Sequence, residues 1–324
     1  MNNLKKLGLT ALGTTLIASS AFAGTMDVTG SAGITFSGTS GNATGNGFSM
    51  RDEITFSGGG EMDNGWNVTV SMQLDDNETT TNMDNRSVAI DMSEMGTLTF
   101  SGHGGSTAMG MVDDVTPNVY GEAFDILPAG DKGLAATAIF NAIGSAGDNN
   151  TWLYSNSSLM DGVTVRASYV PSNGTTEVSS STDYGVEYTG YEGLKVGYAR
   201  GENNAGATST ETDNSTMYVT YAFGPVTIGY QESEIDAATT AASDEFEAMG
   251  VTYAVSEELS IGYNTSSYNA GDSTADQVNT AVGFSYTMGS MTLSGAMVSE
   301  DNRGGSTAAV NDVEGYALDV AFAF

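Results

Sequence analysis

Apolar and polar residues alternate one by one along most of this chain. The stretch WNVTVSMQL places Trp66, Val68, Val70, Met72 and Leu74 on one face and Asn67, Thr69, Ser71 and Gln73 on the other. The same period of two runs through TLTFSG, VTVRASY, LKVGYA, VTIGY, LSIGY and MTLSGAM. Strict alternation predicts strands with one apolar face, because successive side chains of an extended backbone point to opposite sides. The other face is polar or very small each time. A soluble sandwich alternates too, but its outward faces usually carry more Lys and Glu. The chain ends on the same pattern: EGYALDVAFAF sets Tyr316, Leu318, Val320, Phe322 and Phe324 on every second position, with Ala317, Asp319, Ala321 and Ala323 between them. A frayed, solvated terminus has no use for such a face. Something non-aqueous covers it.

The connections alternate as well. Short turns are predicted at 62–65, 93–96, 159–162, 190–193, 223–225, 255–258 and 287–290, where Gly, Asn, Asp and Pro supply the backbone angles of tight hairpins. Between them lie longer, polar, low-complexity segments such as SGTSGNATGNG, DDNETTTNMDN and EDNRGGSTAAVND. Short turns at one end and long loops at the other is the layout of a transmembrane β-barrel. Pro117, Pro128, Pro171 and Pro225 all fall in loops, strand ends or turns. Sixteen strands are predicted, at 25–38, 48–61, 65–75, 85–93, 96–103, 149–158, 163–171, 182–190, 193–202, 214–223, 225–235, 245–255, 258–269, 277–287, 290–300 and 313–324. The number is even and both termini fall on the short-turn side. An open edge would leave unpaired backbone groups in lipid, so the last strand must pair with the first. The fold class predicted is all-β, a 16-stranded antiparallel transmembrane barrel.

One gap breaks the pattern, from Gly104 to Asp148. A connection that long is functional or disordered. Val115, Val119, Tyr120, Phe124, Ile126, Leu127, Ile139 and Phe140 demand burial, which argues against disorder. Within it LAATAIFNAI, residues 134–143, has helical spacing and predicts a short helix; an additional strand pair is the competing reading.

The amino-terminal end adds the compartment. Residues 1–23 carry Lys5 and Lys6, an apolar stretch and Ala21-Phe22-Ala23, the three parts of a secretory signal peptide. The barrel is then expected over 24–324, with 104–148 as its long third loop. There is no cysteine, so neither disulfides nor Cys-bound metal enter. Cleavage would remove two of nine basic residues and none of the forty acids, taking the formal charge from −31 to −33. Such a field disfavours polyanions and nucleic acid as partners.

These residues resemble a family. The terminal YALDVAFAF, the second-strand RDEITFSGGGEMDNGW, EMGTLTFSG before the long loop and WLYSNSSLMDGVTVRASY after it are similar to the general, non-specific trimeric porins of Gram-negative outer membranes, most closely the alphaproteobacterial type. The resemblance implies a homotrimer of sixteen-stranded barrels in the outer membrane. Each would hold a water-filled pore through which small hydrophilic solutes and ions diffuse without energy input. It also implies a third loop folded inward, its acids facing basic residues on the wall. The terminal aromatics Tyr316, Phe322 and Phe324 would be read by the barrel-assembly machinery.

Parity assigns the pore wall. Arg51 and Glu53 point inward because Ile54 and Phe56 hold the outward register, and Arg166 and Lys195 face inward by the same rule. A lipid-facing Arg at mid-bilayer costs about 2–4 kcal/mol, which favours the inward assignment of Arg166. Arg86 shares parity with Val88 and Ile90 and is aimed outward near the rim unless a bulge intervenes. Asp113, Asp114, Glu122 and Asp125 are the candidates for the acidic side of the constriction. Opposed charges across a narrow passage set a transverse field. This chain departs from the family in having only seven basic residues beyond the signal peptide, and its charge leads us to expect a preference for cations.

Two acidic groups, Asp75, Asp76, Glu78 and Asp84, and Glu232, Glu234, Asp236, Asp244 and Glu245, read as solvated acidic loops. Clustered carboxylates can hold a structural Ca²⁺, but no EF-hand spacing exists and no other cofactor is expected. The single histidine, His103, follows a lumen-facing register into the long loop without a second positioned partner, so it reads as a polar pore residue and not a general base. No phosphate loop, dinucleotide fingerprint or metal spacing appears, and no enzymatic activity is expected. A solute-specific channel and a structural or adhesive barrel with a closed lumen are the competing readings; conductance separates the last from an open pore.

Overall fold

A computed structural model describes residues 26–324 apart from 41–46, 76–82, 84, 113–114, 127–148, 172–177, 206–210, 238–242, 272 and 308–311. Sixteen strands follow one another in chain order. They are β1 (Met26–Thr39), β2 (Gly47–Glu61), β3 (Asn67–Asp75), β4 (Asn85–Asp91), β5 (Thr97–His103), β6 (Thr151–Met160), β7 (Val163–Val170) and β8 (Val178–Tyr188). The second half comprises β9 (Leu194–Ala205), β10 (Thr212–Phe223), β11 (Val226–Ala237), β12 (Asp244–Ala254), β13 (Leu259–Ala270), β14 (Gln277–Met288), β15 (Met291–Asp301) and β16 (Val313–Ala323). Each pairs antiparallel with its neighbours, and β1 pairs with β16 to close the barrel. The predicted strands therefore all form, with ends shifted by a few residues. No described helix is long and apolar enough to cross a membrane. The predicted helix at 134–143 and the signal segment 1–23 lie outside the described residues.

The turns at the short end are made as their residues suggest. Gly193 has φ 77°, and a Cβ there would collide with the carbonyl oxygen of Ala222. Only glycine fits that corner. Five of the other six short turns place Gly65, Gly96, Gly162, Gly224 and Gly289 at positive φ as well.

The two faces separate as alternation predicts. Outward positions are apolar and exposed: Val219, Ile228, Met249, Val251, Tyr253, Ile261 and Tyr263 form one continuous stretch across β10 to β13. Many inward positions on the same strands are polar, such as Thr216, Gln231, Ser233, Asn264 and Ser266, and they are buried. A soluble protein would invert this arrangement, because apolar side chains gain by leaving water. Here the gain comes from hydrocarbon outside, and the hydrogen-bonding face lines the interior.

The interior is not empty. Met109, Val112, Val115 and Phe124 of the long connection pack against Ala199, Tyr218, Ile235, Phe246, Ala248 and Tyr268 on the inner wall. Ala123, Ile126 and Tyr120 pack against a second patch, Ala281, Ala296, Val298, Val313 and Ala317. Of the residues that demanded burial, Val115, Tyr120, Phe124 and Ile126 thus find partners inside the barrel, while Leu127, Ile139 and Phe140 lie outside the described residues.

Candidate functional site

The inward loop follows the wall around the interior. Ala108 N donates to Ser168 Oγ on β7 at 2.9 Å, and that hydroxyl donates to Asp183 Oδ2 on β8 at 3.0 Å. Val115 N donates to Gln231 Oε1 on β11 at 3.4 Å. Ala123 N donates to Asn264 Oδ1 on β13 at 2.6 Å, while Asn264 Nδ2 donates back to the carbonyl of Gly121. Ile126 reaches the β14–β16 patch. Met109 and Val112 are fully buried against the wall, and each such burial stabilises by about 1.5–3 kcal/mol. The described loop residues between 105 and 126 therefore line the wall on strands from β7 to β16.

Of the wall candidates, Arg51 and Glu53 lie on β2, Arg166 on β7 and Lys195 on β9. Arg51 Nη2 donates to Asp319 Oδ2 at 2.9 Å, and Thr35 Oγ1 donates to Asp319 Oδ1 at 2.8 Å. This clamp spans β16, β1 and β2, the seam where the barrel closes. Gly33 makes the reach possible: a Cβ there would stand 2.8 Å from Arg51 Nε. Asp319 is the functional residue that sequence reasoning missed. Its signal was present, as the single acid on the inner face of the closing strand.

Arg166 Nη2 lies 3.6 Å from Glu187 Oε1, and Glu187 also accepts a short hydrogen bond from the Tyr218 hydroxyl. Lys195 sits on an inward position of β9, opposite Thr220 and near the short-turn end. It is the one predicted wall cation that joins no ion pair among the described residues. Glu53 and Asp75 face each other across β2 and β3. With Arg51 they border a recess of about 260 Å³, and neither acid joins a described ion pair.

The loop acids divide. Asp113 and Asp114 lie outside the described residues. Glu122 departs from the expectation: it is 7% exposed, and its Oε1 accepts the backbone N–H of Thr116 at 3.0 Å. A loop crossing the interior must satisfy its own backbone donors, and Glu122 does so in place of facing the passage. Asp125 is exposed to the interior space, yet its surroundings remove enough water to hold its carboxyl above the ordinary range. Burial raises the Tyr120 hydroxyl, the charge of Asp319 raises it further and Arg51 opposes them. Tyr120 thus stands within the electrostatic reach of the seam clamp, where loop and opposing wall approach.

His103 Nδ1 lies 2.6 Å from Asn149 Oδ1, which ties together the two ends of the long connection. The strand register does shift beside Arg86, between Arg86 and Ser87, so the bulge condition is met. Asp76, Glu78 and Asp84 lie outside the described residues. Asp75 ends β3, and Glu232, Glu234, Asp236, Asp244 and Glu245 are strand residues of β11 and β12, not loop residues; Glu234 directly opposes Glu245 while Glu232 opposes Glu247. No group of three or more acids or histidines among the described residues has the arrangement of a metal site.

Comparison with known proteins agrees with this geometry. The family description "Gram-negative porin" matches residues 8–322. The chain belongs to the Gram-negative porins. It is accordingly an outer-membrane protein that forms a channel. No curated protein matches it by sequence. Among solved structures, it is similar to the anion-selective porin from Comamonas acidovorans at 13% identity, covering 93% of this chain and 99% of that one, with a TM-score of 0.67. A substituted Rhodopseudomonas blastica porin matches at 17% identity over 93% and 100% of the two chains, TM-score 0.66. OmpT of Vibrio cholerae, in its trimer form, matches at 14% identity over 93% and 100%, TM-score 0.67. At these identities the likeness concerns the fold. The charge lining of this porin is its own.

Proposed function

We propose that this porin is a passive, cation-preferring diffusion channel for small hydrophilic solutes and ions. The observation that carries the sign is the disposition of wall charge. Arg51 and Arg166 are each held by an acid, whereas Glu53 and Asp75 join no ion pair among the described residues and Asp125 is exposed on the loop. These three acids outnumber Lys195, the one wall cation likewise without an ion pair there. Fixed negative potential along a narrow aqueous passage concentrates cations and repels anions. The name of the Comamonas protein records the opposite preference on a similar barrel, so the fold leaves the sign to the wall residues.

Reversal potentials across planar bilayers under a KCl gradient test the proposal. A K⁺ preference at neutral pH is expected, and a Cl⁻ preference overturns it. The preference should weaken as pH falls, because protonation removes carboxylate charge. Asp125 should discharge at higher pH than an ordinary exposed carboxylate, since its carboxyl is held up by desolvation. A preference unchanged between pH 7 and the acid limit of barrel stability would count against carboxylates as its source.

We also infer a homotrimer, assembled through the barrel-assembly machinery and contacting itself around β2–β5. The wall is lowest there: β3, β4 and β5 have nine, seven and seven residues. Beside them β2 turns Phe48 (76% exposed), Met50 (66%) and, between Met50 and Ile54, the carboxylate of Asp52 to the outside. An acid flanked by apolar residues is poorly served by hydrocarbon and better served by a polar group on a neighbouring copy. Introducing Phe48→Asp with Met50→Asp is expected to convert the detergent-resistant oligomer to monomers that keep the barrel's heat-dependent gel shift. A wild-type protein that is monomeric by native mass spectrometry would refute the inference.

A further inference from the structure

We propose that four inward-facing glycines, Gly229, Gly250, Gly262 and Gly283, form a seat for loop residues 116–119 and thereby set the width of the passage. The proposal rests on the channel reading above and goes beyond it by naming what fixes the aperture. The four lie on successive strands β11 to β14, as two directly opposed pairs, Gly229 with Gly250 and Gly262 with Gly283.

Glycine in mid-strand weakens a sheet, and two cross-strand glycine pairs do so twice. The usual compensation is a close approach by another backbone or ligand. Here the approach is visible at all four. A Cβ at Gly250 would run into the carbonyl group of Pro117, with the carbonyl carbon at 3.0 Å and Thr116 Cγ2 also at 3.0 Å. One at Gly229 would enter the Pro117 ring, with Cγ at 2.9 Å. One at Gly262 would touch both methyls of Val119 at 3.1 Å, and one at Gly283 would meet Val119 Cγ2 at 3.2 Å as well as the carbonyl oxygen of Gly295 on β15 at 3.0 Å.

The gap in the lining is confined to one level. The next inward positions on the same strands carry side chains: Thr227 and Gln231, Ala248 and Thr252, Asn264, and Ala281. Two of the loop's hydrogen bonds to the wall flank the seat, Val115 to Gln231 and Ala123 to Asn264. Between those pins the segment Thr116-Pro117-Asn118-Val119 lies directly on strand backbone. Its depth is therefore set by the absence of side chains beneath it. Adding them would push the segment off the wall, toward the passage. Loop charge is untouched by such a change, so pore size and ion preference should respond separately.

The decisive measurements are single-channel conductance and liposome swelling with sugars of increasing size. Gly250→Val cannot be relieved by a rotamer change, because the opposing atoms are loop backbone, and conductance is expected to fall by about half. Permeation of the larger sugars should fall more steeply than that of the smaller. If Gly250→Val does not assemble, a milder pair carries the test: Gly262→Ala should lower conductance, and adding Val119→Ala should restore it by vacating the space. Wild-type channels with Gly250→Val or Gly262→Ala variants of equal conductance and equal sugar cutoff would overturn the seat, as would failure of Val119→Ala to restore Gly262→Ala. Failure of the wild-type protein to conduct at all would instead overturn the channel reading.

Discussion

Deleting Phe324 is expected to abolish accumulation of assembled barrel in the outer membrane. The residue closes the cylinder: Phe324 N donates to Gly30 O and Gly30 N donates to Phe324 O, both at 2.9 Å. Its ring lies across Gly30, where a Cβ would meet Phe324 Cε2 at 2.6 Å. Each hydrogen bond contributes only about 1 kcal/mol net in water. In a bilayer the comparison changes, because an unpaired seam group has no water to return to and costs several kcal/mol. The deletion also removes the last of the outward aromatics, Tyr316, Phe322 and Phe324, proposed as the signal read by the assembly machinery. Heat-modifiable barrel in outer-membrane fractions is the readout. Phe324→Trp should assemble nearly as well as wild type and Phe324→Asp should not. Normal assembly of the deletion variant would show that neither the seam bonds nor the aromatic terminus is needed.

Replacing Glu53 and Asp75 together by glutamine should lower the K⁺ over Cl⁻ permeability ratio several-fold, with conductance changed much less. The two carboxylates oppose each other across β2 and β3, and neither joins an ion pair among the described residues. Like charges directly opposite are destabilising, by tenths of a kcal/mol to about 1 kcal/mol. The double variant should therefore fold at least as well as the wild type, which keeps the result interpretable. Asp319→Asn should act in the same direction by a different route, since it releases the charge of Arg51 into the passage. Here some loss of thermal stability is expected as well, because Asp319 is buried at the seam and accepts from both Arg51 and Thr35. Reversal potentials of the Glu53→Gln/Asp75→Gln variant equal to those of wild type would remove these acids from the account of selectivity.

How much of this could be read beforehand differs by residue. Trp66 to Leu74 specified a strand and its two faces outright, because an extended backbone has one period and hydrocarbon tolerates one kind of side chain. The inward direction of Arg51, Glu53, Arg166 and Lys195 followed from the same parity. What each charge meets did not. Arg51 finds Asp319 from the other end of the chain, across a glycine whose role is visible only once β1 lies between β2 and β16. Glu122 is an acid on the long third loop and so a candidate for the passage, yet the loop's need for an acceptor at Thr116 N turns it away. Gly229, Gly250, Gly262 and Gly283 looked like ordinary strand glycines until the loop was found lying on them.

By itself the sequence determined what depends on neighbours along the chain: the strands, their order, the tight turns, the greasy outside and the polar inside. Local sterics and the solvent on each face are enough for that. Tertiary structure alone decided which charges cancel, which acids stay free and how deep the inward loop sits. Those outcomes depend on groups brought together from distant segments, at separations of a few ångströms that no local pattern encodes.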